Sequence, residues 1–409
     1  MDTKNVIAAI ALSSAVIVLY SLFFIPEKPI SNENLVEKNK IEQNTDAPSL
    51  DKKETLVQIS REDALKENDR IKFENQKVIG SISLKGAAID DLTFKDYNTS
   101  LESNEKVTLL EPRSTENGYL IESGFVTSDK NIEIPDSDTL WSVIGNNKLS
   151  TQSPIKLSWT NKQGIKFEKE ISIDDKYLFT INQSVTNSTD QKYDFYSYGQ
   201  IIRNKIPEIS NFYILHEGLI ATLDDELIEE DYDDIQEKKF SRTSQKGWLG
   251  IGDKYWITSL IPPKEKEFKT TFDYKKKFRA NFIASEPLEL KENGKVEEKL
   301  QIIVAAKRVD IIDGYADTLN IDKFDLAIDW GFLYFITKPL FFGIDYFFKL
   351  LGNYGLAIIA ITICIRLAFF PLANFSFRSM AKMKALQPEM VRLKELHKND
   401  KMKLQQEMM

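Results

Sequence analysis

The chain has 409 residues, of which 42% are apolar and 28% are charged, and this length leaves room for more than one domain. A net charge of −8 argues against a general nucleic-acid-binding protein. The single cysteine, Cys364, excludes a disulfide framework and a cysteine-based metal site within one chain, and the two histidines, His216 and His397, are too far apart in sequence to suggest a histidine-based site.

The first predicted element is an apolar run from Val6 to Ile25, which is long enough to cross a bilayer, whose core takes about 20 helical residues. The run ends in bulky residues and Pro26, without the small residues of a signal-peptide cleavage site. We therefore predict an uncleaved transmembrane anchor over residues 1–26; a peptide cut early, near Ala15, is the alternative. Residues 27–60 are polar and poor in aromatic side chains, which predicts a flexible linker.

Residues 61–320 have the pattern of a β domain. Short runs alternate apolar with polar residues, as at Leu157 and Trp159, and turn dipeptides such as Asn293-Gly294 separate them. The sequence therefore predicts one large antiparallel β-sandwich. No fixed-period repeat is visible, which disfavours a propeller.

Two stretches of this domain could suggest a ligand site. Residues Asp224 to Glu237 are acidic but lack the spacing of a calcium loop, so a solvated loop is predicted. Residues Gly247 to Gly252 lack the Lys-Ser/Thr of a phosphate-binding loop, and that interpretation is rejected. No carboxylate pair and no Ser/His/Asp set stands out as catalytic.

Residues 321–351 are rich in aromatic side chains but are interrupted by charges and by Pro339. We predict an amphipathic helix that lies in the membrane interface, where Trp and Tyr prefer the headgroup level. Trp330, Tyr334 and Tyr346 are the predicted interfacial anchors. A buried helix of the β domain is the alternative.

Residues 352–374 predict a transmembrane helix that carries a charge. Arg366 lies about 18 Å along the helix after Tyr354, past the midplane of a core ~30 Å thick. An arginine near the centre of a span costs roughly 2.5–3.5 kcal/mol on insertion scales, so such residues usually face a polar cavity or a partner. Thr362, four residues earlier, lies on the same face. The alternative is that Arg366 snorkels to the nearer interface.

Residues 375–409 predict a cytoplasmic helix. Lys and Arg flanking a span mark the cytoplasmic side, which puts the N-terminus in the cytoplasm and residues of about 27–350 outside it. The flanking basic residues are Arg378, Lys382, Lys384, Arg392, Lys394, Lys398, Lys401 and Lys403. Met383, Leu386, Met390 and Leu393 have heptad-like spacing, typical of a helical bundle or coiled-coil hairpin, and Pro388 predicts a new helix start or a kink.

Several stretches in chain order carry a resemblance to a known family. They are Asp329–Phe341, Gly352–Gly355, Ile365–Arg366 and Ser379–Pro388, with Gly247–Trp248, Lys254–Trp256 and Ile261–Pro262 in the β domain. Together they resemble the YidC-type membrane protein insertases of the YidC/Oxa/Alb superfamily, in the form found in the inner membrane of Gram-negative bacteria. The resemblance implies a periplasmic location for the β-sandwich.

The resemblance also implies a mechanism, that of a transport protein or chaperone and not of an enzyme. Family members form a hydrophilic groove among five core helices, and Arg366 and Thr362 match groove positions. The substrates are nascent inner-membrane proteins, the implied partners are the Sec translocon, the ribosome and membrane lipids, and no cofactor or nucleic acid is involved. No ATP site is needed, because burial of the substrate's apolar helix drives the step.

Three expectations remain open at this point. The chain stops at Met409, inside the first cytoplasmic helix, so it is expected to be a C-terminally truncated fragment that holds one of the groove helices. The main alternative function is a two-span sensor with a periplasmic β-sandwich that binds a ligand. The second is a membrane-tethered sandwich that binds or modifies glycans.

Overall fold

The structure is a computed structural model that describes residues 58–207, 216–331 and 333–396. The predicted anchor over residues 1–26, nearly all of the predicted linker, and residues 397–409 lie outside these described ranges. The helices are α1 Arg61–Ala64, α2 Tyr232–Glu237, α3 Val309–Leu319, α4 Tyr334–Leu351 and α5 Tyr354–Leu396, with one 3-10 turn at Phe324–Ala327. The strands are β1 Arg70–Glu74, β2 Val78–Ser83, β3 Ile89–Asn98, β4 Lys106–Leu110, β5 Tyr119–Val126, β6 Ser142–Ile144, β7 Lys148–Leu149, β8 Ile155–Thr160, β9 Ile165–Ile173, β10 Leu178–Asn187, β11 Tyr193–Arg203, β12 Gly218–Leu223, β13 Glu226–Asp231, β14 Phe240–Ser244, β15 Gly247–Gly252, β16 Trp256–Ile261, β17 Phe268–Tyr274, β18 Phe278–Ala284, β19 Leu288–Leu290 and β20 Lys295–Ala306.

Two sheets make up the β domain. The first has eleven strands in the order β14-β17-β18-β11-β5-β3-β2-β1-β7, with β19 added to β11 and β4 added to β3. The second has nine strands in the order β13-β12-β15-β16-β20-β10-β9-β8-β6. Among the described strand pairs, only β1 and β7 run parallel. The predicted large antiparallel sandwich is therefore confirmed.

One continuous apolar core joins the two sheets. Phe73 on β1 of the first sheet meets Phe179 on β10 of the second, edge to face, with ring centroids 5.2 Å apart. Strand β1 alternates buried and exposed residues as its sequence predicts, but β18 is buried at every position. Strand β18 lies inside its sheet, between β17 and β11, and both of its faces are covered. An alternation of apolar and polar residues therefore does not predict its burial.

The sandwich domain continues past its last strand, β20, into α3 and the 3-10 turn. On α3, Tyr315 accepts a hydrogen bond from the backbone N–H of Tyr177 at 2.8 Å and donates one to Asp174 at 2.7 Å. Phe324 is fully buried and packs edge to face on Trp248, with ring centroids 5.1 Å apart. The start of the segment predicted to lie in the interface, residues 321–351, therefore belongs to the sandwich core.

The acidic segment that was predicted to be a loop is ordered secondary structure. Residues Glu226–Asp231 form β13, which pairs with β12, and Tyr232–Glu237 form α2. Tyr232 and Ile235 are buried among the acidic residues, and they give the segment an apolar side with which to pack. The sequence argument counted the charges and overlooked these apolar positions, so the loop prediction was wrong.

The two C-terminal helices run through their prolines. Helix α4 contains Pro339, and α5 contains Pro371 and Pro388 in one continuous helix of 43 residues. The new helix start predicted at Pro388 is therefore not seen. Within the described ranges, one helix, over Tyr354–Arg392, is long and apolar enough to cross a membrane.

Candidate functional site

Helices α4 and α5 pack against each other as a hairpin. Gly352 ends α4 with a positive φ of 66°, and Asn353 accepts a hydrogen bond from the backbone N–H of Leu356 at 3.1 Å, which caps the start of α5. At Gly343 a Cβ would lie 2.8 Å from Ile361 Cδ1, so the absence of a side chain there allows the helices to approach closely.

Among the described residues, one face of α5 is covered by α4 and the other faces are open. Ala357 is buried, and Ile361 and Ile365, which follow at intervals of four residues, are half-buried. Exposed apolar side chains occupy the remaining surface, including Ile359, Ile363, Leu367, Phe369 and Phe370. An uncovered apolar surface of this extent suits a lipid environment or contact with further helices.

The two residues predicted for the groove lie on the open surface of α5. Arg366 and Thr362 are both exposed, and they are one turn apart on the same side of the helix. The Thr362 hydroxyl donates to the carbonyl of Ile358 at 2.7 Å. Within the described part of the chain, Arg366 has no carboxylate partner, and water, lipid or groups outside the described ranges remain to meet its charge.

The predicted interfacial anchors fall into two groups. Trp330 is half-buried and its indole N–H donates to the backbone carbonyl of Asp325 at 3.3 Å, while the Tyr334 hydroxyl lies 3.4 Å from the Asp325 carboxylate. These two side chains therefore lie at the junction between the sandwich and α4. Tyr346 is 65% exposed on α4. None of these contacts tests their predicted role at a membrane interface.

Lys338 is the junction residue whose role the sequence argument missed. Its Nζ lies 2.8 Å from an Asp325 carboxylate oxygen and 3.6 Å from one of Asp313. Burial acts to lower the pKa of Lys338, but the hydrogen bond that Lys338 donates to Asp325 and the charges of both aspartates outweigh it and raise that pKa. In the sequence, Lys338 stood out only as a charge that interrupts an apolar run, because its partners are 13 and 25 positions away.

The sandwich has its own cleft, with a volume of about 530 Å³. Arg203 in its wall bonds Asp253 at 2.6 Å and covers the ring of Tyr119 at 4.6 Å. The Lys254 backbone N–H donates to Glu217 at 2.8 Å. Arg203, Asp253 and Glu217 thus have partners within the protein, whereas the buried Tyr119 hydroxyl has no hydrogen-bond partner among the described residues. No group of three or more His, Cys, Asp or Glu residues in the described ranges is arranged to hold a metal ion.

Two family models together match most of the chain. The model described as the YidC periplasmic domain matches residues 70–342, which is the sandwich with its junction and the first half of α4. The model described as the 60Kd inner membrane protein matches residues 346–409, which include the rest of α4, α5 and the end of the chain. The boundary between the two matches falls within α4, the helix that joins the sandwich to the candidate span.

Solved structures give only distant likenesses to the sandwich. A galactose mutarotase related enzyme from Lactobacillus acidophilus covers 58% of this chain and 97% of its own, with a TM-score of 0.43 and 11% identity. A putative aldose 1-epimerase from Escherichia coli K12 has a TM-score of 0.39 and 9% identity over 58% of this chain and 99% of its own. Likenesses this weak carry no argument about activity.

Curated relatives match over the full chain. The membrane protein insertase YidC of Pelagibacter ubique is 71% identical over 409 residues, which are 100% of this chain and 73% of the relative. The protein of the same name from Rickettsia rickettsii (strain Sheila Smith) is 39% identical over 416 residues, which cover 99% of this chain and 73% of the relative. With the two family models and these identities, the chain belongs to the YidC family of membrane protein insertases.

Proposed function

We propose that this chain inserts inner-membrane proteins through a hydrophilic groove to which Arg366 and Thr362 contribute. The observation that carries the proposal is the position of Arg366, a charged side chain on the open face of α5, which is mostly apolar over residues 354–371 and long enough to span a bilayer. The face that α4 covers is apolar, so the polar face remains available to other helices or to a substrate.

The physical role of the arginine follows from the cost of moving polar groups through hydrocarbon. A water-filled cavity shortens the hydrocarbon path that a polar segment must cross, and the positive charge of Arg366 within it attracts acidic segments. Burial of the substrate's own apolar helix then supplies the free energy of insertion. Thr362 bonds its own helix backbone, so it adds a polar group without needing a partner on another helix.

The proposal includes an arrangement in the inner membrane. Residues 1–26 form an anchor with a cytoplasmic N-terminus, residues 27–60 a linker, and residues 61–320 the periplasmic sandwich. Residues 352–374 form the span and residues 375–409 lie in the cytoplasm. Trp330, Tyr334 and Tyr346 lie near the headgroups, and the Sec translocon and the ribosome are the proposed partners. The exposed apolar surface of α5 and the basic residues after Pro371 support this arrangement.

The test is Arg366→Ala in the full-length protein, reconstituted in proteoliposomes. We expect crosslinking to nascent membrane proteins with acidic translocated segments to fall about tenfold, which corresponds to ~1.4 kcal/mol of lost interaction. The matched control is Arg378→Ala, the same chemical change at an exposed position of the same helix beyond the predicted span. Unchanged crosslinking in Arg366→Ala, or an equal loss in Arg378→Ala, would contradict the role proposed for Arg366.

The sensor considered from the sequence has no support in the family matches, which are to insertase domains and insertases. An insertase needs its charged helix face in contact with substrate, whereas a sensor gains little from a charge at that depth. The glycan-binding alternative would have to rest on a fold likeness that is too weak to carry it.

A further inference from the structure

Three segments of the chain meet around the Lys338 ammonium group. Asp313 comes from α3 and Asp325 from the 3-10 turn of the sandwich, while Lys338 lies on α4. Its Nζ also lies 5.7 Å from the ring centroids of both Trp330 and Tyr334. The side chains of Lys338 and Asp325 are 18% and 19% exposed, so the pair is largely removed from water.

A second contact on the same side of α4 reinforces the first. Phe341, one turn after Lys338, packs edge to face on Trp330 with ring centroids 5.6 Å apart. Trp330 is itself fixed to the sandwich side by its bond to the carbonyl of Asp325. The Thr337 hydroxyl donates to the carbonyl of Trp330 at 2.8 Å. The first half of α4 is thus held through a charge, a ring contact and a hydrogen bond.

The second half of α4 is held by α5 instead. The close approach at Gly343 and the ring contact between Phe348 and Tyr354, with centroids 4.4 Å apart, connect the two helices. Helix α4 therefore contacts the sandwich with its first half and the candidate span, α5, with its second half. The direction of α4 determines how α5 is oriented relative to the sandwich, and with it where Arg366 lies.

We propose that Lys338 is a positioning residue for membrane protein insertion, which fixes the angle between the β-sandwich and the α4–α5 hairpin by joining Asp313 and Asp325 to α4. A charge that is mostly buried needs its partners in place, since an unpaired buried charge is costly. The orientation of α4 that keeps both aspartates near Lys338 is favoured over rotated or tilted orientations for this reason. The inference concerns orientation and does not depend on the role proposed for Arg366.

The test measures a distance across the junction by pulsed electron spin resonance in the full-length protein in lipid bilayers. Cys364, the single cysteine of the chain, is replaced by serine, and spin labels are attached at Lys162→Cys on the sandwich and Leu350→Cys near the end of α4. Both native side chains are well exposed, so the labels should be tolerated. The variants are Lys338→Met, which removes the charge, and Lys338→Arg, which keeps it. Lys349→Met is the matched control, because Lys349 is an exposed lysine of the same helix that pairs with Asp345.

We expect Lys338→Met to broaden or shift the distance distribution by several ångströms, with the distribution kept narrow in Lys338→Arg and in Lys349→Met. Substrate insertion should fall in Lys338→Met and recover in Lys338→Arg. A narrow, unshifted distribution in Lys338→Met would overturn the proposal. So would an earlier thermal unfolding of the sandwich with the distribution unchanged, because Lys338 would then only stabilise the domain.

The exchanged pair Asp325→Lys with Lys338→Asp, made together with Asp313→Asn so that the new carboxylate at position 338 does not face that of Asp313, covers the case in which Lys338→Met fails to fold. We expect the exchange to restore a narrow distribution, since it keeps opposite charges at the junction. A folded exchange variant with a distribution as broad as that of Asp325→Lys alone would overturn the proposal. An Arg366→Ala protein should keep the wild-type distance distribution, which separates the two proposals.

Discussion

The sandwich and the α4–α5 hairpin differ in the exposure of their large apolar side chains. In the sandwich, large side chains such as Trp248 and Phe282 are almost completely buried between the sheets. In α5, Phe369 and Leu367 are 61% and 67% exposed. The sandwich is stabilised by removing apolar surface from water, whereas the helix has apolar surface that suits lipid. The sandwich therefore suits water, and the exposed apolar surface of α5 suits a bilayer.

Charged residues differ between the same two regions. Two buried arginines of the sandwich have carboxylate partners: Arg203 pairs with Asp253, and Arg279 pairs with Asp273. In α5, Arg366 lies exposed among apolar residues. A charge with a partner inside its own domain contributes to the fold, while a charge on an open face has to find its partner elsewhere. We therefore expect charged residues to act in function on α5 and in stability in the sandwich.

The largest effect expected from this contrast is on core phenylalanines. Phe324→Ala should lower the free energy of unfolding of the sandwich by about 3–5 kcal/mol, the usual cost of a cavity left by a buried aromatic ring. Phe369→Ala makes the same chemical change on the exposed surface of α5 and should leave that free energy unchanged. Chemical denaturation followed by near-ultraviolet circular dichroism measures both. Equal losses would remove the distinction between the regions.

The second effect is a pH dependence produced by a buried lysine. Lys169 donates to the carbonyl of Ser123 at 2.6 Å across the two sheets, and burial lowers its pKa from 10.5 to about 8, with Glu122 in partial opposition. Between these two values the unfolded chain binds more protons than the folded one, so the free energy of unfolding should rise as the pH rises from about 8 to 10.5, by on the order of 3 kcal/mol.

Lys169→Met removes the titrating group and nearly preserves the side-chain length. The difference in unfolding free energy between wild type and variant, measured at intervals from pH 7 to 10.5, isolates the contribution of Lys169 from that of other groups. We expect this difference to change steadily across the window. A constant difference would mean that the folded and unfolded chains hold the Lys169 proton equally well.

The smallest effect is expected at an exposed ion pair of the sandwich. Lys77 and Asp96 lie 2.6 Å apart with side chains 34% and 47% exposed, so solvent screens their interaction. Lys77→Ala should change the free energy of unfolding by less than about 1 kcal/mol. Urea titration at low and high salt measures it, and a loss as large as that of Phe324→Ala would show that burial is not what separates strong from weak contributions.

The order of elements could be predicted because it depends on local patterns. The alternation of apolar and polar residues gave β1, and the long apolar run gave α5. The burial of Phe324 could not be predicted, since it depends on Trp248, which lies 76 positions earlier in the sequence. The strand and helix within the acidic segment were missed because two buried side chains outweighed many charges.

The candidate site also has a part that the sequence predicts and a part that it does not. The polar face of α5 follows from helical spacing alone, and Arg366 and Thr362 are where a periodicity of 3.6 places them. The junction at Lys338 needs the fold, since Asp313 and Asp325 approach it only after the sandwich has formed. The only signal in the sequence was the charge of Lys338 within an aromatic run. Such a charge indicates that a partner exists but does not identify it.

The proline within α5 has a consequence for hydration. Pro371 has no N–H, so it cannot donate to the carbonyl of Leu367, the residue directly after Arg366. A guanidinium with five donors and a carbonyl with a spare lone pair thus occur within one turn, and in the proposed span hydrocarbon would offer neither of them a hydrogen bond. A single chain of water molecules would then hydrogen-bond to both groups. The backbone of this turn, as well as the Arg366 side chain, would require hydration.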